Sequence, residues 1–513
     1  MKVSVIVPVC DPGEHLRRCL QSLAEQTMNL ADYEVVLVDD GSTDGSSARL
    51  DRTAERHPQF RVIHQPNSGG PGQPRNRGIE EARGDYVFFC DHDDWLAPYA
   101  LEVLHRFAVE NGSDIVLGKM AGIGRPVPRV VFDQTRPVAT LADTPLMDSL
   151  NVYKLFRREF LRVHDLRFAE GRRRLEDHLF VTEAYLHAGV ISIYADQVCY
   201  FHARWPSSAS AQPPHWGSYF TSLEEAVGVV ERRTEPGPFR DRLLTRWLRV
   251  EMVNRLTGQN LLTRRPHDAA ALFDAAQRVA AAHFGDGVVA RLDPIDRPVG
   301  RAVVAGTLAE VWERAAAIDR WRVDAEVLQA GWRAGTLQLS GMISLNDRDA
   351  RADGDSIARL RILLSDVDSQ NFNDVLIRAT PTLELISPTT GERFTLLAGI
   401  HGDGLTRSFT IDIDPATLPV GDVEDKDVWT FRAHFMVLGL GGSTGLRMVD
   451  ERPLSAPIRP TTQSNRGAEL IGSSDTRQLQ LRLWPVGHNR RPGAKVHPSG
   501  KGSLAGLASH RRT

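Results

Sequence analysis

Apolar segments that stop on acidic residues constrain this chain more than any other feature. Val3 to Val7 is an apolar run closed by Pro8, Tyr33 to Val38 ends on Asp39-Asp40, and Tyr86 to Cys90 ends on Asp91-His92-Asp93-Asp94. Helical signals lie between them, the clearest being Leu16, Cys19, Leu20 and Leu23 at i, i+3, i+4 and i+7. A short strand around Val62-Ile63 and a helix near Gly78 to Arg83 continue the alternation. Strands this apolar, separated by helices, predict a mostly parallel sheet covered on both faces. Ligands of such sheets bind beyond the carboxyl ends of the strands. Both acidic groups are therefore expected on one rim.

A chain of 513 residues exceeds what one core organises, so further domains are expected after this α/β unit, which is assigned to residues 1–215. From about Ser218 to Asp319 the pattern is helical, with Leu244, Trp247, Leu248 and Met252 on one face and breaks near Pro236 and Pro266, giving a helical linker over 216–322. Beyond Asp324, short alternating runs such as Leu383 to Ile386 and Thr430 to Val437 predict a β-sandwich over 323–487. The Gly-, Pro- and Arg-rich stretch 488–513 has no acidic residue and is expected to be a disordered basic tail.

The first apolar run is too short for a signal segment and no later stretch is long enough to span a bilayer, so a cytoplasmic protein is expected. A net charge of -3 gives no reason to expect nucleic-acid binding. Cys10, Cys19, Cys90 and Cys199 lack metal-ligand spacing and read as reduced, mostly buried thiols.

Asp91 and Asp93, one residue apart at a strand end, can present two carboxylates to a divalent ion, since hard cations take oxygen ligands. Alone, such a pair caps a turn equally well. Its company makes it specific. The run Val3 to Pro8, the segment Asp39 to Asp44, Arg75-Asn76-Arg77-Gly78, the segment Asp91 to Leu96 and Glu176-Asp177 occur in this order. Together they resemble family 2 glycosyltransferases of the Rossmann-like GT-A fold, over roughly Met1 to His202. Gly69-Gly70-Pro71-Gly72, Glu176-Asp177 and the arrangement of domains resemble the poly(ribitol-phosphate) glycosyltransferases that decorate wall teichoic acid.

The resemblance implies an inverting, Mn²⁺- or Mg²⁺-dependent transfer of a sugar from a UDP-sugar to a hydroxyl of a polymeric glycan or polyol phosphate. Asp177 would be the general base; the plain alternative is that Glu176 and Asp177 serve the helix dipole. Pro8 and Val9 would line the base pocket, and Asp40 or Asp39 would contact uracil or ribose. Arg75 would meet donor or acceptor groups beside the turn of Gly69, Gly70 and Gly72, which lets the backbone approach a ligand. Asp91, His92 and Asp93 would face the donor phosphates, with Asp91 and Asp93 on the metal and Asp94 more structural. His202 is a third metal candidate and Arg204 a diphosphate contact, each set against a purely structural His and a solvated Arg. Asp11 stands where the family commonly has Asn, which bears on the loop into the first helix. The resemblance leaves room for peripheral membrane association and for a homotrimer through the C-terminal domain. Nucleotidyl transfer is disfavoured because Val9 to Glu14 is acidic and poor in Gly. A non-catalytic glycan-binding or scaffold protein would be expected to have lost the carboxylates.

Overall fold

The computed structural model describes residues 1–485 apart from 172–173, 206–213, 351–352, 366, 368, 388–392, 403, 416–426, 450–465 and 473–477. The expected tail at 488–513 lies outside the described residues.

The apolar segments become β1 (Val3–Val9), β2 (Tyr33–Asp40), β3 (Phe60–Gln65) and β4 (Tyr86–Phe89), connected through helices α1 (Leu16–Ala24), α2 (Ser46–Arg56) and α3 (Gly72–Glu81). All residues of β1 and β2 are buried, as strands covered on both faces must be. The four strands are parallel, and the register sets Val9 beside Asp39 and Asp39 beside His64. The acidic ends therefore share one rim, as the sequence predicts.

The sheet is mixed, however, rather than mostly parallel. After β5 (Trp95–Leu96) and α4 (Ala100–Asn111), the chain adds β6 (Ile115–Ile123), β7 (Arg136–Ala139), β8 (Lys154–Arg157), α5 (Arg158–Val163), α6 (Glu176–His187) and β9 (Ile191–Ala203). Strand β8 lies antiparallel between β4 and β6, and β5 and β7 run antiparallel to β9. Antiparallel neighbours need no helical crossover, and four residues of β8 are too few to show a period. The long β9 pairs Tyr200 with Leu96 and Phe201 with Trp95, which brings its last residues against the loop that follows β4.

The region 216–322 is helical, with α7 (Trp216–Arg233), α8 (Pro238–Trp247), α9 (Gly258–Leu262), α10 (Pro266–His283), α11 (Asp286–Ala290), α12 (Arg297–Ala305) and α13 (Leu308–Asp319). Its Leu223, Val227, Leu244 and Trp247 belong to the same apolar core as Phe180 and Val181 of α6. The C-terminal region is sheet-rich. One sheet is built on Trp321–Arg333 and Thr336–Asp347, the other on Thr382–Ile386, Asp427–Val437 and Leu479–Pro485, and both contribute to a separate core that includes Ala325, Leu339, Leu385, Phe431 and Leu481. Among the described residues no helix is long and apolar enough to cross a membrane. All four cysteines are free thiols; Cys19, Cys90 and Cys199 are buried and Cys10 is partly exposed.

Candidate active site

At the end of β2, the two carboxylates organise loops. Asp39 accepts from Ser42 N (3.1 Å), Ser47 Oγ (2.6 Å) and the Nδ1 side of His64 (2.8 Å). Asp40 accepts from Gln65 Nε2 (2.7 Å) and from Ser68 through its backbone N–H and its hydroxyl (2.8 Å). Asp11, at a positive φ of 42°, accepts the backbone N–H groups of Thr43 (2.6 Å) and Asp44 (3.1 Å) and so ties the loop after β1 to the loop after β2. The Asp in place of Asn is thus an acceptor for two neighbouring N–H groups, a role suited to a carboxylate. The carbonyl of Pro8, one residue before the end of β1, accepts from the His92 ring (3.2 Å), which places His92 and the β1 end side by side.

Arg75 departs from expectation. It is only 4% exposed, and its two terminal nitrogens reach different carboxylates, Nη2 to Asp91 Oδ1 (2.8 Å) and Nη1 to Glu176 Oε1 (3.0 Å). Burial would depress a guanidinium, but the charges of Asp91 and Glu176 outweigh it and raise Arg75 further. Rather than an open donor contact, it is an internal clamp between the loop after β4 and the start of α6. Its neighbour Asn76 pins the segment before α6, donating to Phe168 O (2.9 Å) and accepting from Phe168 N (2.8 Å). The Arg-Asn motif is therefore legible as two adjacent clamps on one helix turn. Gly69 sits at a positive φ of 86°, as a glycine turn requires. Gly72 allows a close approach of protein, not of ligand: a Cβ there would lie 2.2 Å from Ala169 O.

Asp91, Asp93 and Asp94 bring carboxylate oxygens within 4.8 Å of one another. Asp91 Oδ2 also accepts from the Tyr153 hydroxyl (2.7 Å). Burial would raise the Asp91 carboxyl, yet Arg75 and the Tyr153 hydrogen bond outweigh it and hold it below the usual carboxylate range. Asp94, 1% exposed, accepts from Ala203 N (2.7 Å), Tyr200 Oη (2.7 Å) and the Nδ1 side of His202 (2.9 Å). A carboxylate on one ring nitrogen fixes the orientation of a histidine, and Asp94 holds the His202 ring in this way by its Nδ1 side. Three carboxylates within reach of one another suit a hard divalent cation, which Asp91, Asp93 and Asp94 could hold, with the His202 ring against Asp94 beside them. Trp205 Nε1 donates to Asp93 O (2.9 Å) and its ring stacks on His15 at 4.0 Å, closing the chain after β9 over this loop. The Arg204 side chain is exposed; its backbone N–H donates to Ile123 O (2.9 Å), which ties it to β6.

Asp177 lies in the first turn of α6, two residues after Leu175, whose φ of 61° is costly for a branched side chain and marks a strained entry. Its Oδ1 accepts from His178 N (2.9 Å). Burial first, and then the adjacent Glu176 carboxylate, push Asp177 up to about 7, against the opposing charges of Arg75 and Arg246. Buried Lys154, bonded to the carbonyl and side chain of Asn151, is pushed down to about 7 by burial while Asp177 opposes that shift. A carboxylate poised near neutrality is matched to taking a proton from a hydroxyl.

The structure thus gathers Asp91, Asp93, Asp94 and His202 directly and joins them to the turn of Asp177 through Arg75 and Glu176. Sequence reading missed Tyr153 and Lys154, which sit in a segment without a motif, and Tyr200, two residues before the candidate His202; it took Glu176 as the partner of Asp177 in the Glu-Asp pair and did not foresee its ion pair with Arg75. Two aromatic hydroxyls, one just before β8 and one on β9, were the available signal.

The sequence model for glycosyl transferase family 2 matches residues 4–165, and that for the glycosyl transferase TarS linker domain matches residues 217–315. The chain is 36% identical over 236 residues to a poly(ribitol-phosphate) beta-glucosyltransferase of Bacillus spizizenii, covering 45% of this chain and 37% of that protein. It is 34% identical to the poly(ribitol-phosphate) beta-N-acetylglucosaminyltransferase TarP of Staphylococcus aureus over 45% of this chain and 72% of that one. The crystal structure of residues 1–349 of S. aureus TarS in complex with UDP-GlcNAc superposes with a TM-score of 0.56 at 26% identity, covering 66% of this chain and 96% of that one.

Proposed function

Because the chain belongs to glycosyl transferase family 2, we propose that it transfers a sugar from a UDP-sugar to a hydroxyl of a polyol-phosphate or related cell-wall glycopolymer, with inversion at the sugar carbon. The observation that carries this reading is Asp177, a carboxylate pushed up to about 7 and linked through Glu176 and Arg75 to the acidic loop at Asp91. The poly(ribitol-phosphate) acceptors and the UDP-GlcNAc named for the relatives support the substrate classes.

Asp177 takes the acceptor proton on the oxygen not engaged by His178 as the hydroxyl oxygen bonds to the sugar carbon. The bond from that carbon to the diphosphate oxygen breaks in the same step and UDP leaves with the electron pair. Asp91, Asp93 and His202 would hold a divalent ion, which would supply charge stabilisation for the leaving diphosphate. Arg75 keeps the Asp91 carboxylate ionised and fixes its distance from the turn that carries the base. On this reading Pro8 and Val9 line the base pocket and Asp40 or Asp39 contacts uracil or ribose, beside the turn of Gly69 and Gly70. The C-terminal sheets serve glycan binding or assembly of a trimer.

The test is UDP release from a panel that includes UDP-glucose and UDP-GlcNAc, with Mn²⁺ or Mg²⁺ and then chelator, with and without poly(ribitol phosphate). Release that depends on one donor, metal and polymer, and that falls on the order of a hundredfold in Asp177→Asn, is expected. Full turnover in that variant would remove Asp177 as base, and equal donor affinity with and without chelator would remove the metal.

A further inference from the structure

The linker reaches the base through a buried polar cluster. The Trp247 indole N–H donates to His178 Nδ1 (3.4 Å), one residue after Asp177. Beside it, Arg246 Nη1 donates to Glu251 Oε1 (2.7 Å), and Glu251 Oε2 accepts from Arg255 (2.7 Å) and from the Tyr219 hydroxyl (2.6 Å). Glu251 is 3% exposed, and Trp247 and His178 are buried. A buried charge cluster costs desolvation that an apolar contact avoids, so its presence against the catalytic turn calls for a role other than stability.

With its Nδ1 accepting from the indole, His178 carries its proton on Nε2 and is neutral; burial and then Arg246 push it down to about 3. It therefore adds no charge beside the base. The groups that act on Asp177 are Glu176 on its own helix, Arg75 on α3, Lys154 on β8 and Arg246 on α8. Arg246 is the linker's contribution to this set, and Glu251 moderates it.

We propose that Arg246, with Glu251 as its counter-charge, is a positioning residue for the reaction at Asp177, which makes the linker a working part of the catalytic centre rather than a spacer. The proposal rests on the reading of Asp177 as the base. Arg246 favours the ionised carboxylate, so its loss makes Asp177 harder to deprotonate. Loss of the Glu251 charge leaves Arg246 uncompensated and has the opposite effect.

The experiment is the pH dependence of kcat/KM in the full chain for Arg246→Met, Arg246→Lys and Glu251→Gln, with Asp177→Asn alongside. The acid limb is expected to move up by about half a pH unit or more in Arg246→Met, to return in Arg246→Lys, and to move down in Glu251→Gln. Opposite shifts from one cluster do not arise from general loosening of the fold. Should Arg246→Met fail to fold, the isosteric Glu251→Gln decides alone by the direction of its shift. An inactive Asp177→Asn together with unmoved limbs would overturn the linker's role and leave the base in place. Full activity in Asp177→Asn would instead remove the base, and this inference with it.

Discussion

The Tyr153 hydroxyl lies 2.7 Å from Asp91 Oδ2, opposite the edge of the same carboxylate that Arg75 holds at 2.8 Å. Burial and the charge of Asp91 keep that phenol protonated well above its ordinary range, so it remains a donor throughout the working pH range. Tyr153→Phe removes one hydrogen bond to a charged group and nothing else of the ring. It is expected to lower stability by about 1.5–3 kcal/mol in urea titration. An unchanged midpoint and slope would show that the bond contributes nothing.

Arg75 bridges two carboxylates with separate nitrogens, which a single ammonium does not reproduce. Arg75→Met leaves Asp91 and Glu176 facing each other without a counter-ion, and the expected loss is about 3–5 kcal/mol. Arg75→Lys should recover part of the stability but little of the turnover, since one point charge cannot fix the spacing between the two loops. Denaturant midpoints and UDP release on the same preparations check both halves. Equal loss of activity and stability in both variants would count against a clamp.

Asp177 gives the pH prediction. Its folded value, about 7, is above the ordinary value for an aspartate, so the folded state binds a proton more tightly than the unfolded chain does. The group therefore costs stability at high pH, and the cost fades as pH falls through about 7 towards the unfolded value. Catalysis runs the other way, because the base works ionised: kcat/KM should fall as pH drops below about 7. Asp177→Asn should accordingly melt higher than the parent at pH 8 and lose that advantage at pH 4, with its turnover at pH 8 lower on the order of a hundredfold. A variant that melts lower at pH 8 would refute the unfavourable burial of the charge.

The first half of the sheet was legible because each of β1, β2 and β4 is an apolar run ending on residues with distinct chemistry. Burial on both faces gives a continuous signal, and the acidic ends mark the rim. Strand β8 was not legible, since Lys154–Arg157 is four residues long and takes its place from its neighbours β4 and β6. Asp91, Asp93, Asp177 and His202 stood out by type and position. What they do together was hidden, because Tyr153, just before β8, and Tyr200 on β9 reach them only through the long-range pairing of β8 with β4 and of β9 with β5. Arg75 shows the limit of residue-type reasoning: an arginine beside a glycine turn suggests a contact with donor or acceptor groups, and only tertiary packing reveals two carboxylates already on it.

Gly72 is a strict steric position beside the site. It begins α3, and a Cβ there would meet Ala169 O at 2.2 Å and Ala169 C at 3.1 Å, both backbone atoms that cannot swing aside. The helix and the 168–170 segment would have to part. That movement strains the paired bonds of Asn76 with Phe168 and, one residue earlier, the Arg75 clamp. Gly72→Ala is expected to destabilise by about 1–3 kcal/mol, as overpacking does. Gly331→Ala, where nothing lies within 4 Å and the backbone needs no positive φ, is the control and should be neutral or slightly stabilising. If the fall in turnover of Gly72→Ala persists at a temperature where both variants are fully folded, the displaced clamp is the cause. Full recovery there would limit the effect of this glycine to stability.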